Sequence, residues 1–138
     1  EVWAELREEA RADVEGEPVL RTYYHHAVLS HACLEGALAA HVAAKLGSPN
    51  HVPADALFEI LLDAFLADPE IQLAVRADLR AARDRDPACS SILHCLLHYK
   101  GFQALQAHRV AHRLWTSGRR VMALFLQSRV SEVFAVDI

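Results

Sequence analysis

Residues 85–118 read RDPACSSILHCLLHYKGFQALQAHRVAHRLWTSG, and the punctuation of this stretch decides the fold. Pro87 disfavours helical geometry at Asp86, so a helix arriving from upstream ends there. Residues 92–99 then make a short apolar helix, which Lys100-Gly101-Phe102 breaks. Beyond the break, Ala104, Ala107, Ala111 and Leu114 recur at three- and four-residue steps along a second helix that runs to about Ser117. Small residues at those steps let helices approach closely. Gly118 is a C-terminal stop. Helix, break, helix and stop predict an all-α fold.

The rest of the chain extends the pattern. Val2, Trp3, Leu6 and Ala10 form one side of a first helix that Gly16 and Pro18 end. Leu20, Tyr24, Ala27, His31, Leu34, Leu38 and Val42 form a stripe that predicts one long helix from about residue 18 to 46. Residues 47–50 are a loop. Pro53 suits a first helical position, and Leu57, Ile60, Leu61, Ala64 and Phe65 follow on one face. Asp68-Pro69-Glu70 restarts the chain in a further helix: Asp68 can cap free amides and Pro69 fits the first turn. Ile71, Ala74, Val75, Leu79 and Ala82 give that helix its buried face, with Asp78 near it. Val121, Met122, Leu124 and Phe125 belong to a last helix. Val133-Phe134-Ala135-Val136 is β-branched and aromatic and reads as the start of a strand. A lone strand needs a sheet that these residues do not contain, which marks the chain as a fragment.

The chain has 138 residues, enough for one domain with a core. Hydrophobic residues make up 53%, which leaves apolar surface for a partner. A net charge of -4 gives no bulk attraction to nucleic acid. Nine histidines make the charge responsive to pH between about 7 and 5. The three cysteines, Cys33, Cys89 and Cys95, contain no C-x-x-C and read as reduced, mostly buried thiols. No apolar run approaches the roughly 20 residues of a membrane span. No signal peptide is visible and no Met begins the chain, so a trimmed N-terminus is expected.

Several residues invite chemistry. Asp86, turned out of its helix by Pro87, has a carboxylate free to act; equally, it can cap the next helix or pair with Arg83 or Arg85. His31 lies in the long stripe as a hydrogen-bonded core or interface residue, or as a ligand. His94/His98 and His108/His112 are four apart, the spacing of zinc-binding helices. The second pair, however, reads HRVAH, with Arg109 where the catalytic Glu of that motif belongs, and no Cys pair completes a tetrahedral set. Packing and hydrogen bonding are the expected roles, with no metal. Lys100, Arg109, Arg113, Arg119 and Arg120, interleaved with Tyr99, Phe102 and Trp115, either grip phosphates or form a solvated face. Cys95 beside His94 and His98 makes a poor nucleophile, because an apolar run raises a thiol's pKa.

RDPACSSILHCLLHYKGFQALQAHRVAHRLWTSGRR, together with SRVSEVFAVDI at the end, strongly resembles serine acetyltransferase, specifically its N-terminal helical domain. The opening EVWAELREEARADVEGEP fits the start of that domain, so the resemblance covers nearly the whole chain. The wording RDPAC, QAHRVAH and SEVFAVDI resembles the plant enzymes more than the bacterial ones. The resemblance implies transfer of an acetyl group from acetyl-CoA to the hydroxyl of L-serine, giving O-acetylserine for cysteine synthesis. It implies a helical domain over residues 1–132, with residues 133–138 entering a left-handed parallel β-helix that lies outside this chain. Asp86 matches a family carboxylate that binds the amino acid substrate. Asp137, in VDI, matches the Asp that partners the catalytic His. That His is a general base, and a carboxylate behind it fixes its tautomer.

The same resemblance sets limits. The catalytic His, the other substrate-binding residues and the acetyl-CoA site lie beyond VDI, so these residues alone are expected to bind no cofactor and to be inactive. Acetyl-CoA is a co-substrate of the parent. The family's helical domains hold two β-helical trimers together as a hexamer, so self-association through helices is expected. Cysteine synthase is a partner of the family's C-terminal tail; Ile138 belongs to VDI and is not that tail. No nucleic-acid or membrane partner is expected. The expected location is the cytoplasm, or a plastid or mitochondrion where a plant transit peptide has been removed. The competing reading is a non-catalytic helical module for oligomerisation or interaction.

Overall fold

Helix α1 (Val2–Gly16) begins where the Glu1 carboxylate accepts the Trp3 and Ala4 amides, at 3.1 and 3.0 Å. Such a cap is worth about 1 kcal/mol. Val2, Leu6 and Ala10 are buried. The computed structural model to which α1 belongs describes residues 1–89 and 91–136 of the chain.

The expected long second helix is instead four pieces and a corner. A 3-10 turn (Pro18–Leu20), the short α2 (Arg21–Tyr24) and a π turn (His25–Leu29) lead to a break, after which α3 (Leu34–Leu46) sets off at 114° to what precedes it. The reason is tertiary. Arg7 of α1 donates through Nη1 to the Leu29 and His31 carbonyls, at 3.3 and 3.2 Å. Carbonyls released by a broken helix need such partners. The apolar stripe survives the corner because Tyr24, Val28, Leu34, Leu38 and Val42 all enter the same core.

Gly47 ends α3, and a tight loop leads to α4 (Ala54–Ala67), capped by Pro53 rather than beginning with it. Leu57, Leu61, Ala64 and Phe65 are its buried face. Asp68 ends α4 and caps α5 (Pro69–Arg85), as expected: its Oδ1 accepts Glu70 and Ile71 amides at 3.0 and 3.4 Å. Arg76 of α5 is paired at 2.6 Å with Glu35 of α3, which is itself buried.

The deciding stretch folds as read, with the break one residue earlier. Helix α6 (Ile92–His98) is capped by Ser91, whose hydroxyl accepts the His94 amide at 3.0 Å. Tyr99 interrupts it, and α7 (Lys100–Thr116) follows at once, so Lys100-Gly101-Phe102 is the first turn of the new helix and not the break. Ala104, Ala107, Ala111 and Leu114 are buried. Gly118, at φ 91°, supplies the left-handed turn into α8 (Arg120–Phe134), which packs on α7. Arg129 of α8 is buried and donates its Nε to the Leu46 carbonyl at 2.8 Å, tying the last helix to the end of α3.

Val133 and Phe134 close α8 instead of starting a strand. Phe134 is buried, and that packing overrides the β preference of the local sequence. Ala135 takes the left-handed cap at φ 56°, and no strand occurs among the described residues. Among the described residues no single helix is long and apolar enough to cross a membrane.

Candidate functional site

Asp86 is the first residue beyond α5, at φ -105° and ψ 108°. Its amide still closes the helix on Ala82 at 3.1 Å, while its carbonyl accepts the Cys89 amide at 3.0 Å across a Pro87-Ala88 turn. The carboxylate Oδ1 accepts the Ala88 amide at 2.9 Å. Pro87 thus does what the sequence predicts. Of the two alternatives, capping is local: Asp86 secures its own turn, and Ser91 caps α6. Arg83 pairs with Glu5 and Asp84, and among the described residues neither Arg83 nor Arg85 forms an ion pair with Asp86.

Asp86 lines an open groove of about 400 Å3 between the end of α5 and the α6–α7 junction. Asp78, Arg85, Cys95, Tyr99, Phe102 and Leu105 share its walls. A carboxylate held by a backbone amide, with no ion pair among the described residues although Arg85 shares the groove, is suited to binding an ammonium group.

Cys95 and Tyr99, which also line the groove, are held protonated. Burial pushes the Cys95 thiol up to about 12, with Cys89, Asp78 and Asp86 adding to it. Cys95 is therefore no nucleophile, as its apolar surroundings predict. Tyr99 is also raised to about 12, by loss of solvent first and then by the nearby Asp86 carboxylate and Cys89. Asp78 is occupied: its Oδ2 accepts Gln106 Nε2 at 2.8 Å and Arg109 Nη2 at 3.0 Å.

The histidine pairs part company. The His94 and His98 rings lie 4.9 Å apart on α6. His98 is lowered by burial, then by His94 and Lys45. Nearby, the largely buried His41 bonds through Nε2 to the Leu97 carbonyl at 3.0 Å, and burial, more than Lys45 and His98, lowers its pKa. His108 and His112 line a different groove, of about 540 Å3, with Asp68 and Glu70. Among the described residues no group of three His, Cys, Asp or Glu side chains could hold a metal ion. His31 is not on a helical stripe; it sits in the corner before α3, its Nε2 3.0 Å from the His26 carbonyl.

The basic third of the chain is largely committed internally. Arg109 pairs with Asp78, Arg113 with Asp68 at 3.3 Å, and Arg120 stacks over Trp115 at 4.8 Å. A third cavity, of about 390 Å3, includes His108, Glu132 and Val136 near the end of the described chain. Asp137 follows Val136 and lies outside the described residues.

Sequence reasoning singled out Asp86, and read Tyr99 and Phe102 only as aromatics interleaved with basic residues, not as walls of the groove that Asp86 lines. Tyr99 carried no signal beyond being aromatic next to a Gly-containing break. The His41–Leu97 link joins residues 56 apart in sequence and had none.

Comparison with known proteins shows the family. Residues 2–107 match the family described as serine acetyltransferase, N-terminal. A probable serine acetyltransferase 3 of Oryza sativa subsp. japonica is 58% identical over 137 residues, which are 99% of this chain and 46% of the relative. The structure of soybean serine acetyltransferase complexed with serine superposes with a TM-score of 0.94 at 52% identity, covering 99% of this chain and 56% of that one. A serine acetyltransferase complex with CoA superposes with a TM-score of 0.94 at 40% identity, covering 99% and 57%. The chain spans about half the length of these relatives.

Proposed function

The chain belongs to the serine acetyltransferase family, and from that premise we propose that its residues serve transfer of an acetyl group from acetyl-CoA to L-serine in a longer protein. The observation that carries the reading is Asp86. Its carboxylate leaves the helix, lines an open groove and is held by a neutral amide, so its charge is available to the ammonium of L-serine.

The chemistry divides between this chain and what it is joined to. In the reaction the serine oxygen attacks the thioester carbonyl while its proton passes to a general base, the C–S bond breaks, and the base hands that proton to the departing sulfur, so that CoA leaves as its thiol. Asp86 positions the amino acid. Asp137 orients the imidazole of that base, a His beyond this chain, and stabilises it when protonated. Acetyl-CoA binds outside residues 1–138. The proposed division is a helical unit over residues 1–132 and an entry to the β-helix over 133–138, although α8 itself runs on to Phe134.

The test is release of CoA thiol from acetyl-CoA in the presence of L-serine. The full-length protein is expected to turn over and residues 1–138 alone are not. A folded full-length protein without serine-dependent release would contradict the proposal.

A second reading rests on exposed apolar side chains: Val121 and Leu124 on α8, Leu73 on α5 and Val19 after α1. They suit self-association of helices, within a hexamer built as a dimer of trimers, with cysteine synthase bound elsewhere on the parent. Light scattering on residues 1–138 tests it: assemblies are expected, and a strict monomer at high concentration would contradict it.

A further inference from the structure

We propose that Glu9 of α1 is a positioning residue for Asp86: it anchors the loop that carries Asp86 and so keeps that carboxylate open to the substrate's ammonium. The inference rests on the reading of Asp86 given above.

Residues 86–91 join α5 to α6 and fold on local bonds. The Ala88 amide donates to Asp86 Oδ1, the Cys89 amide to the Asp86 carbonyl, and Cys89 Sγ to the Ser91 carbonyl at 3.1 Å. Such bonds shape the loop without fixing it to the rest of the fold. Helix α1 supplies the fixing. Glu5 and Glu9 are one helical turn apart and share a face of α1. Glu5 accepts Arg83 Nη1 at the end of α5. Glu9 Oε1 accepts the Leu93 amide, in the first turn of α6, at 3.0 Å. The chain is thus held to one helix on either side of Asp86. Glu9 is the firmer anchor. It is half-buried and meets an amide that has no partner within its own helix. The Arg83 and Glu5 side chains are 36% and 38% exposed, so water and salt weaken that pair.

A fixed loop matters because of Arg85, which precedes Asp86 in the chain and lines the same groove. Neighbouring Arg and Asp side chains pair readily at this helix end, as Arg83 and Asp84 do at 3.4 Å. Asp86 instead turns Oδ1 to the Ala88 amide, and among the described residues it forms no ion pair with Arg85. A loop released from α1 lets the carboxylate close on Arg85, and the guanidinium then competes with the incoming ammonium. Glu9 therefore acts through Asp86 on binding of the amino acid, not on transfer of the acetyl group.

The test uses the full-length protein and reads kcat and the KM of each substrate. Glu9→Ala removes the anchor, whereas Glu9→Gln keeps an oxygen that can accept the Leu93 amide. Glu9→Ala is expected to raise the KM for L-serine about fivefold, with kcat and the KM for acetyl-CoA nearly unchanged. Glu9→Gln should stay within about twofold of the unsubstituted protein. Adding Arg85→Gln to Glu9→Ala should bring the serine KM back to within about twofold, a recovery that loss of a merely structural contact would not show. Four results would overturn the proposal: an unaltered serine KM in Glu9→Ala, an equal change in kcat or in the KM for acetyl-CoA, a Glu9→Gln variant as impaired as Glu9→Ala, or no recovery on adding Arg85→Gln. Should Glu9→Ala not fold, Glu9→Asp, whose carboxylate stops one methylene short, carries the same expectations. A large rise in serine KM in Asp86→Asn beside a silent Glu9→Ala sinks Glu9 alone. A silent Asp86→Asn sinks the reading of Asp86 and Glu9 with it.

Discussion

Gly47 and Ala54 meet backbone to backbone where α3 turns into α4: a methyl group on Gly47 would lie 2.6 Å from the Ala54 Cα and 2.8 Å from the Ala43 carbonyl oxygen. Backbone cannot yield as a flexible side chain can. Gly47→Ala is therefore expected to destabilise the fold by about 1–3 kcal/mol. Gly36, inside α3, is the contrast. A methyl there meets only His31 Nδ1 at 3.6 Å and Cys33 Sγ at 3.8 Å. Gly36→Ala should stabilise by about 0.5–1 kcal/mol, because Ala loses less entropy in a helix. Urea unfolding of the two variants gives opposite signs if the close approach is real.

Arg129 joins α8 to the last carbonyl of α3 with 8% of its surface exposed. Arg129→Met keeps a long apolar stem and removes the donor. It is expected to cost about 2 kcal/mol, the range for a hydrogen bond with one charged partner whose other partner is left buried. Glu132, the ion-pair partner of Arg129, is 63% exposed. Glu132→Gln should therefore cost under about 0.5 kcal/mol. Equal losses in the two variants would mean that the surface pair, and not the Leu46 bond, holds the helix.

Acid should loosen the junction of α3 and α6. His41 and His98 both have lowered pKa values, chiefly through burial. In the unfolded chain each takes its proton near about pH 6.5, so below that the unfolded state binds more protons than the folded one. Their contribution to stability is complete above about pH 6.5 and declines as pH falls toward the folded values. Glu9, raised by burial, acts in the opposite sense, but from its own carboxylate range upward. Melting temperature is expected to drop between about pH 7.5 and about pH 5.5, and His41→Gln with His98→Gln should flatten that drop. An unchanged slope in the double variant would assign it to other groups.

Cys95 is 1% exposed with its pKa pushed up to about 12, whereas Cys33 is partly exposed at the corner before α3. An alkylating reagent at neutral pH should modify Cys33 first and leave Cys95 untouched until the protein unfolds. Peptide mapping by mass spectrometry reads the order. Early modification of Cys95 in folded protein would show that the α6 packing is open.

Features fixed by neighbours in sequence were legible, and features fixed through space were not. Asp68-Pro69 caps α5 because a side chain two residues from an amide needs no help from the rest of the fold. The alanines of α7 are buried as their spacing predicts. Pro87 releases Asp86 by local sterics alone. The corner at residues 30–33 was invisible because its carbonyls are satisfied by Arg7, more than twenty residues away, and because the stripe on either side serves one core. Val133 and Phe134 were misread because burial of Phe134 against the other helices outweighs a strand-like composition. The resemblance to a family supplied the roles of Asp86 and Asp137, which no periodicity contains. Tyr99 emerged only when α5 and α6 were placed side by side.

The most direct test of the account is equilibrium binding of L-serine to the full-length protein and to its Asp86→Asn variant, by titration calorimetry. The substitution keeps size and hydrogen bonding and removes the charge. If the groove carboxylate holds the substrate's ammonium, affinity falls at least about tenfold while thermal stability is retained. If a stable Asp86→Asn protein binds L-serine as tightly as before, the groove is not the amino acid site and the assignment of Asp86 is wrong.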